Sequence, residues 1–411
     1  MSPKGIPASG RRTRSSRAAV NDELLLDSAA ELAGSIGWDA VTVARIASAA
    51  RLSPTPVTAR FGDLTGVGAA LWRDRVGPVA CARLREVIAA AASPQPERAL
   101  AKALDPWMSP ERDLRIALDL LIAAEFDAGL ADATTADVAD AMSVPGTVPA
   151  VMARAVTAQA TYAAALAVGL GLAGIASTAA AGGSTSQAAR LAQAIASPAK
   201  ASRLPSLSPG DLPPLAMSGE ERALDGLHEA TLALVGLHGF KAATTRAIAR
   251  TAHVSEGFIF ARYATKRALY VDATARRAAF AVTWNESRRA ALRHKYGDGR
   301  TEAVLLKAIL APGQVWDRPL MLEQRRLAWF DPRLDGDIDQ AASAYLARGA
   351  EPGESGSSLV DSHGSPSAGT VRLGAAALRR HAPDAWQLPF DIMTVPLAGQ
   401  SLTDRGRGAL H

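Results

Sequence analysis

An all-α fold is what this sequence predicts, on three observations. Hydrophobic residues make up 48% of the chain but aromatics only 5%, so alanine and leucine, which favour helix, carry most of the apolar content. Runs of valine, isoleucine and threonine, the mark of strands, are nearly absent. Apolar residues recur at helical spacing in two stretches that repeat one another, residues 24–64 and 226–266. At 411 residues the chain also exceeds the size at which one core usually stops growing, so more than one domain is expected.

The repeat holds a constant spacing of 202 residues (Gly37 to Gly239). Trp38 pairs with Phe240, Thr42 with Thr244, Ile46-Ala47 with Ile248-Ala249, Ala50 with Ala252, Ser53 with Ser255 and Phe61 with Tyr263. Each copy predicts three helices. The first buries one face, Leu25, Ala29, Leu32 and Ile36 in one copy and Leu227, Thr231, Leu234 and His238 in the other. Gly37 or Gly239 ends it. Thr42 or Thr244 caps the second helix, and Ser53 or Ser255 caps the third, with Pro54 placed where a first helical turn tolerates proline. An amphipathic helix, a short helix, a tight turn and another short helix make a helix-turn-helix.

Both segments resemble the DNA-binding domain of the TetR family of regulators. The second copy carries the family pattern in Gly239-Phe240, Thr244, Ile248-Ala249, Val254-Ser255, Gly257, Phe260, Tyr263 and Lys266. The first departs from it, with Thr55 for the glycine, Thr58 for the aromatic and Leu64 for the lysine. The likeness covers roughly 45 residues in each half. Beyond it, residues 114–130 parallel residues 320–334, with Phe126-Asp127 matching Phe330-Asp331 at a spacing of 204 (127 to 331). A doubled regulator subunit is therefore expected. Its parts are a basic disordered arm (1–20), a degenerate first head (21–72), a helical effector or dimerisation body (73–196), a Pro/Ser-rich linker (197–219), a second head (220–271) and a second body (272–411). A Gly/Ser-rich segment at 349–369 is expected to be a loop between late helices.

The resemblance implies a DNA-binding transcriptional regulator, a ligand-responsive repressor whose partners are a double-stranded operator and a small-molecule effector. The third helix of each head is expected in the major groove. In the second head Thr244, Lys266 and the backbone at Ser255 are the expected phosphate contacts, while Arg246, Glu256, Phe258 and Arg262 face outward beside Gly257 and Phe260. The first head offers Thr42, Ser53, Arg45, Pro54, Pro56 and Arg60. One chain with two heads suggests an intramolecular pseudo-dimer, closed by the Ala/Gly-rich helix near 158–180 against the helix near 370–381. The alternative reading is an interaction or sensory module with degenerate heads.

Charge and motifs narrow the other classes. The net charge of +5 is concentrated at the start, where Lys4, Arg11, Arg12, Arg14 and Arg17 precede the first acid, Asp22. Such an arm suits phosphate or minor-groove contact. No apolar run follows it, unlike a secretory leader. Cys81 is the sole cysteine, so no internal disulfide forms and a cytoplasmic setting is expected. Gly169, Gly171 and Gly174 spell GxGxxG, but the preceding residues read as helix and the next acid is the distant Asp211, so the glycines are expected to let helices approach. The charge-free stretch from Ala155 to Ala189 is too poor in leucine-like residues to read as a membrane span. HExxH and GxSxG are absent, and no cofactor, metal or catalytic activity is expected. Trp107, Met108, Phe126, Trp316, Met321, Trp329 and Phe330 are candidates to line an effector pocket, but large apolar residues on helices are more often plain core, and the pocket is left unassigned.

Overall fold

The computed structural model describes residues 10–144, 150–174, 222–296, 301, 317–349 and 366–381. The expected linker 197–219, residues 1–9 of the arm, Trp316 and most of 349–369 lie outside them. All regular structure among the described residues is helical, as composition requires. The helices are α1 (Gly10–Ile36), α2 (Val43–Ala49), α3 (Pro54–Phe61), α4 (Leu64–Leu71), α5 (Gly77–Ala91), α6 (Pro96–Met108), α7 (Arg112–Ala123), α8 (Ala128–Ala141) and α9 (Ala150–Gly174). After the linker come α10 (Arg222–Ala242), α11 (Thr245–Thr251), α12 (Glu256–Phe260), α13 (Lys266–Tyr296), α14 (Asp317–Phe330), α15 (Leu334–Gly349) and α16 (Pro366–Leu378). None of the described helices is long and apolar enough to cross a membrane.

The chain divides into two compact units, one of residues 1–80 and 112–134, the other of residues 81–111 and 135–411. In the first unit α1 packs on α2, α4 and α7. Leu25, Ala29, Ala33, Ile46, Val57, Leu71 and Trp72 are buried there. Helix α1 starts at Gly10, so residues 10–20 continue it instead of forming a disordered arm. From Arg11 to Ala33 the sequence holds neither proline nor glycine, and nothing local interrupts the helix. The buried stripe also differs from expectation: Ile36 is 36% exposed, and Ala33 takes its place.

In the second unit α10 packs on α13 and α14, α13 on α15, and α9 on α6 and α16. Leu232, Val235, Tyr270, Ala273, Leu334 and Ile338 form one core cluster. His238, expected on the buried face of α10, is exposed, as is Leu237. Helix α9 runs unbroken through Gly169 and Gly171, so the GxGxxG is helix and not a phosphate loop. A β-carbon added at Gly374 of α16 would overlap the carbonyl oxygen of Ala165 and lie 2.5 Å from the amide nitrogen of Gly169. The glycines thus bring two helix backbones together. Trp329 donates its indole N–H to the carbonyl of Leu172 at 3.0 Å. Cys81 is buried, and burial with nearby Asp137 pushes its thiol up to about 11, so it stays unreactive.

Matching features recur at the repeat spacing. Gly37 has φ 79° and ψ 151°, Gly239 has φ 80° and ψ 159°, a conformation open to glycine and strained for other residues. Arg51 and His253, in the turns of the two helix-turn-helix segments, both have φ 56°. The N–H of Trp38 donates to Asp119 at 2.6 Å, and the N–H of Phe240 donates to Glu323 at 2.6 Å. Asp119 and Glu323 are both buried, on α7 and α14. Thr65 donates to Asp127 at 2.5 Å, and at the matching place Arg267 pairs with Asp331. That pairing holds the Asp331 carboxyl below its usual range.

Candidate nucleic-acid interface

The second head is built from the turn at Gly239 onward. Thr244 caps α11, its hydroxyl accepting from the N–H of Ala247 at 3.1 Å. Ser255 caps α12, accepting from the N–H of Phe258 at 3.1 Å. Both caps satisfy amides that the helix itself leaves unpaired. Leu227, Ile248, Ala249, Ile259 and Leu269 form the core beneath. This leaves an outward face of Arg246, Arg250, Glu256, Gly257, Phe260 and Arg262, all exposed. Phe260, at 54% exposed, is a large apolar side chain with most of its ring in solvent. A β-carbon at Gly257 would meet nothing nearer than the Ser255 hydroxyl at 3.6 Å, so the fold itself does not demand glycine there.

Two expected contacts take other roles. Phe258 is half-buried against the core, and the Arg262 guanidinium lies over its ring at 3.8 Å. The ring thereby orients the arginine by cation–π attraction and does not itself reach out. Lys266 is turned inward: its ammonium donates to the carbonyl of Phe240 at 2.7 Å and sits 4.3 Å from that ring's centre. It staples the Gly-Phe turn to the start of α13, since the last carbonyls of a helix need donors.

The first head follows the same path with different chemistry. Thr42 caps α2, accepting from Arg45 N–H at 3.2 Å. Ser53 precedes α3 with extended backbone, but its side chain makes no capping bond there, contrary to expectation. Pro54 and Pro56 bring no N–H to the first turn of that helix. Arg45 donates to the carbonyl of Ala40 at 2.6 Å, and Arg60 pairs with Asp22 at 2.7 Å. Where the second head has Lys266, the first has Leu64, and Asp63 caps α4 by accepting from Gly66 N–H at 2.9 Å.

A polar cluster that the sequence reading missed lies under the second head. His228 is fully buried, with Nε2 2.8 Å from the Tyr263 hydroxyl and 3.3 Å from Asp272. Tyr263 donates to Asp272 at 2.6 Å, and Tyr345 donates to its other oxygen at 2.7 Å. Burial pushes the Asp272 carboxyl up, but the hydrogen bonds from His228, Tyr263 and Tyr345 outweigh it and bring it down to about 2. Burial and the same carboxylate push the Tyr263 hydroxyl well above its usual range. One sequence signal marks this cluster: at the repeat spacing, His228, Tyr263 and Asp272 fall on Leu26, Phe61 and Ala70.

No group of His, Cys, Asp and Glu suited to a metal ion occurs among the described residues. No curated relative matches the chain. Residues 227–273 match the family model described as bacterial regulatory proteins, tetR family. That stretch runs from within α10 into α13 and contains α11 and α12 entire, so the chain carries a helix-turn-helix of the tetR type.

Proposed function

We propose that the chain is a sequence-specific transcriptional regulator, a ligand-responsive repressor built by duplication of a tetR-type subunit and acting in the cytoplasm as a single-chain pseudo-dimer. The observation that carries the reading is the outward face of the second head, Arg246, Arg250, Gly257, Phe260 and Arg262, inside the stretch that matches the family model. Arg246 and Arg262 approach bases or backbone, with the caps at Thr244 and Ser255 presenting helix N-termini to phosphates. Duplication is supported by the shared backbone angles at residues 37 and 239 and at 51 and 253, and by the matched amide–acid bonds at 38 and 240. The pseudo-dimer is supported by the backbone-to-backbone packing of α9 on α16, one helix from each half of the sequence.

Selection of bound DNA from a random pool, followed by titration at several salt concentrations, tests the reading. A defined sequence and a steep fall of affinity with salt are expected. Light scattering at micromolar concentration should find a monomer. A second reading, an interaction module, is favoured for the first head alone by its two prolines and its internally paired Arg45 and Arg60. Selection of a one-sided site would assign DNA reading to the second head only.

A further inference from the structure

Helix α12, the recognition helix of the second head, has five residues. So short a helix does not hold its own shape in water and depends on anchors at both ends. Its N-terminal anchor is the Ser255 cap. Its C-terminal anchor is Tyr263, whose N–H donates to the carbonyl of Ile259 at 2.9 Å and whose hydroxyl donates to Asp272 at 2.6 Å. Asp272 lies on α13 and accepts from two hydroxyls, Tyr263 of the second head and Tyr345 of α15, with His228 Nε2 of α10 3.3 Å away. With Tyr263 donating to the carboxylate, its oxygen is left to accept from His228 Nε2–H. The ring's Nδ1 is buried with no hydrogen-bond partner, which suits a bare lone pair better than an N–H.

We infer that Asp272 is a positioning residue for DNA reading: it fixes the end of α12 through Tyr263, and Tyr345 makes that setting depend on α15. The inference rests on the DNA-binding reading above for its function, though not for its geometry. Hydrogen bonds to a carboxylate are directional and stronger than neutral ones, so one to each of its oxygens defines an angle where apolar packing defines only a distance. The first copy makes the contrast. At the matching positions it has Leu26, Phe61, Ala70 and Ala141, with no polar atom on any side chain. Its recognition helix α3 is eight residues long. A longer helix with apolar seating needs no such hub.

The test uses the full chain with Tyr263→Phe, Tyr345→Phe and the double variant, each of which removes hydroxyls and keeps the rings. Two measurements are made: hydrogen exchange of the amides at 256–263, and affinity for the selected operator against an unrelated duplex. Tyr345 lies on α15 outside the outward face, and Tyr345→Phe keeps its ring packing while removing the hydroxyl bond to Asp272. Each single change should speed exchange at 256–263, leave exchange at 43–49 in the first head unchanged, and weaken operator binding about three- to tenfold. The double variant should be no worse than the worse single, because both act through one carboxylate. Binding to the unrelated duplex should change less. Asp272→Asn, which keeps one acceptor, should fall between wild type and Asp272→Ala. Unchanged exchange at 256–263 in Tyr345→Phe, or effects that simply add, would overturn the inference. If the unaltered chain binds no DNA, the functional reading fails, and the exchange data still decide the hub.

Discussion

In the first head the first turn of α3 carries two prolines, and Arg60 is paired with Asp22. In the second head Gly257 and Phe260 of α12 face solvent, and Arg262 lies over the half-buried Phe258. Beneath the first lie Leu26 and Ala70; beneath the second lie His228 and Asp272. Backbone path and the threonine caps are shared, while the serine cap, seating and surface are not. The difference teaches that a helix-turn-helix path is set by a few local devices that survive large changes in what surrounds them. Whether it reads DNA depends on side chains those devices do not constrain.

The comparison breaks most visibly at the two buried acids. Glu323 holds the Phe240 N–H and also the buried guanidinium of Arg326, at 2.6–2.7 Å. Glu323→Ala removes the buried acid from both that guanidinium and the Phe240 N–H and should cost about 3–5 kcal/mol. Asp119→Ala releases the Trp38 N–H and should cost about 1–3 kcal/mol. Urea denaturation of both variants measures the gap, and equal losses would mean that the Glu323–Arg326 pair adds nothing to the second unit.

On the selected operator, Arg262→Ala should lose about 1–3 kcal/mol of binding and relax one base position, if that guanidinium reaches a guanine edge. Arg60→Ala should change binding by about 0.5 kcal/mol or less, as substitutions away from a reading surface do. Matched losses and a palindromic selected site would show the two heads to be equivalent readers.

Gly257→Ala separates fold from partner by sign. With nothing nearer than 3.6 Å to obstruct a β-carbon, alanine should stabilise the second head by roughly 0.5–1 kcal/mol through its better helix propensity. Operator affinity should fall, because the added methyl stands between backbone and DNA. A variant that is both more stable and equally tight would remove Gly257 from the interface.

A further effect is expected at acid pH. The Asp272 carboxyl sits near 2 in the folded chain, below its unfolded value near 4. Its stabilising contribution is therefore complete above about pH 4 and is lost as pH falls through about 2. The stability difference between wild type and Asp272→Asn should be constant at neutral pH and narrow on acidification. The first head has Ala70 at that place and should show no counterpart. A difference that holds constant down to pH 2 would remove the low carboxyl from the account.

Local devices were legible because they act within four residues. A glycine before an aromatic marks the φ 79–80° turn at both heads. Thr42, Thr244 and Ser255 announce caps that reach only three residues ahead. Ser53 shows the limit even there, since it precedes a helix whose first residue is proline and bonds no amide. The seating of the heads was not legible. Asp119 meets Trp38 across 81 residues and Glu323 meets Phe240 across 83, and an acid in an apolar helix does not say which distant amide it will face.

The sequence by itself determined the helical class, the repeat, the caps at Thr42, Thr244 and Ser255 and the turns at Gly37 and Gly239, since each follows from backbone sterics and hydrogen bonds between near neighbours. Tertiary structure alone decided that Lys266 turns inward to Phe240, that His238 is exposed while His228 is buried, and that Tyr263 and Tyr345 share Asp272. A side chain with several rotamers and several donors takes its partner from whatever the packed helices bring within three ångströms, and that is fixed only when distant segments meet.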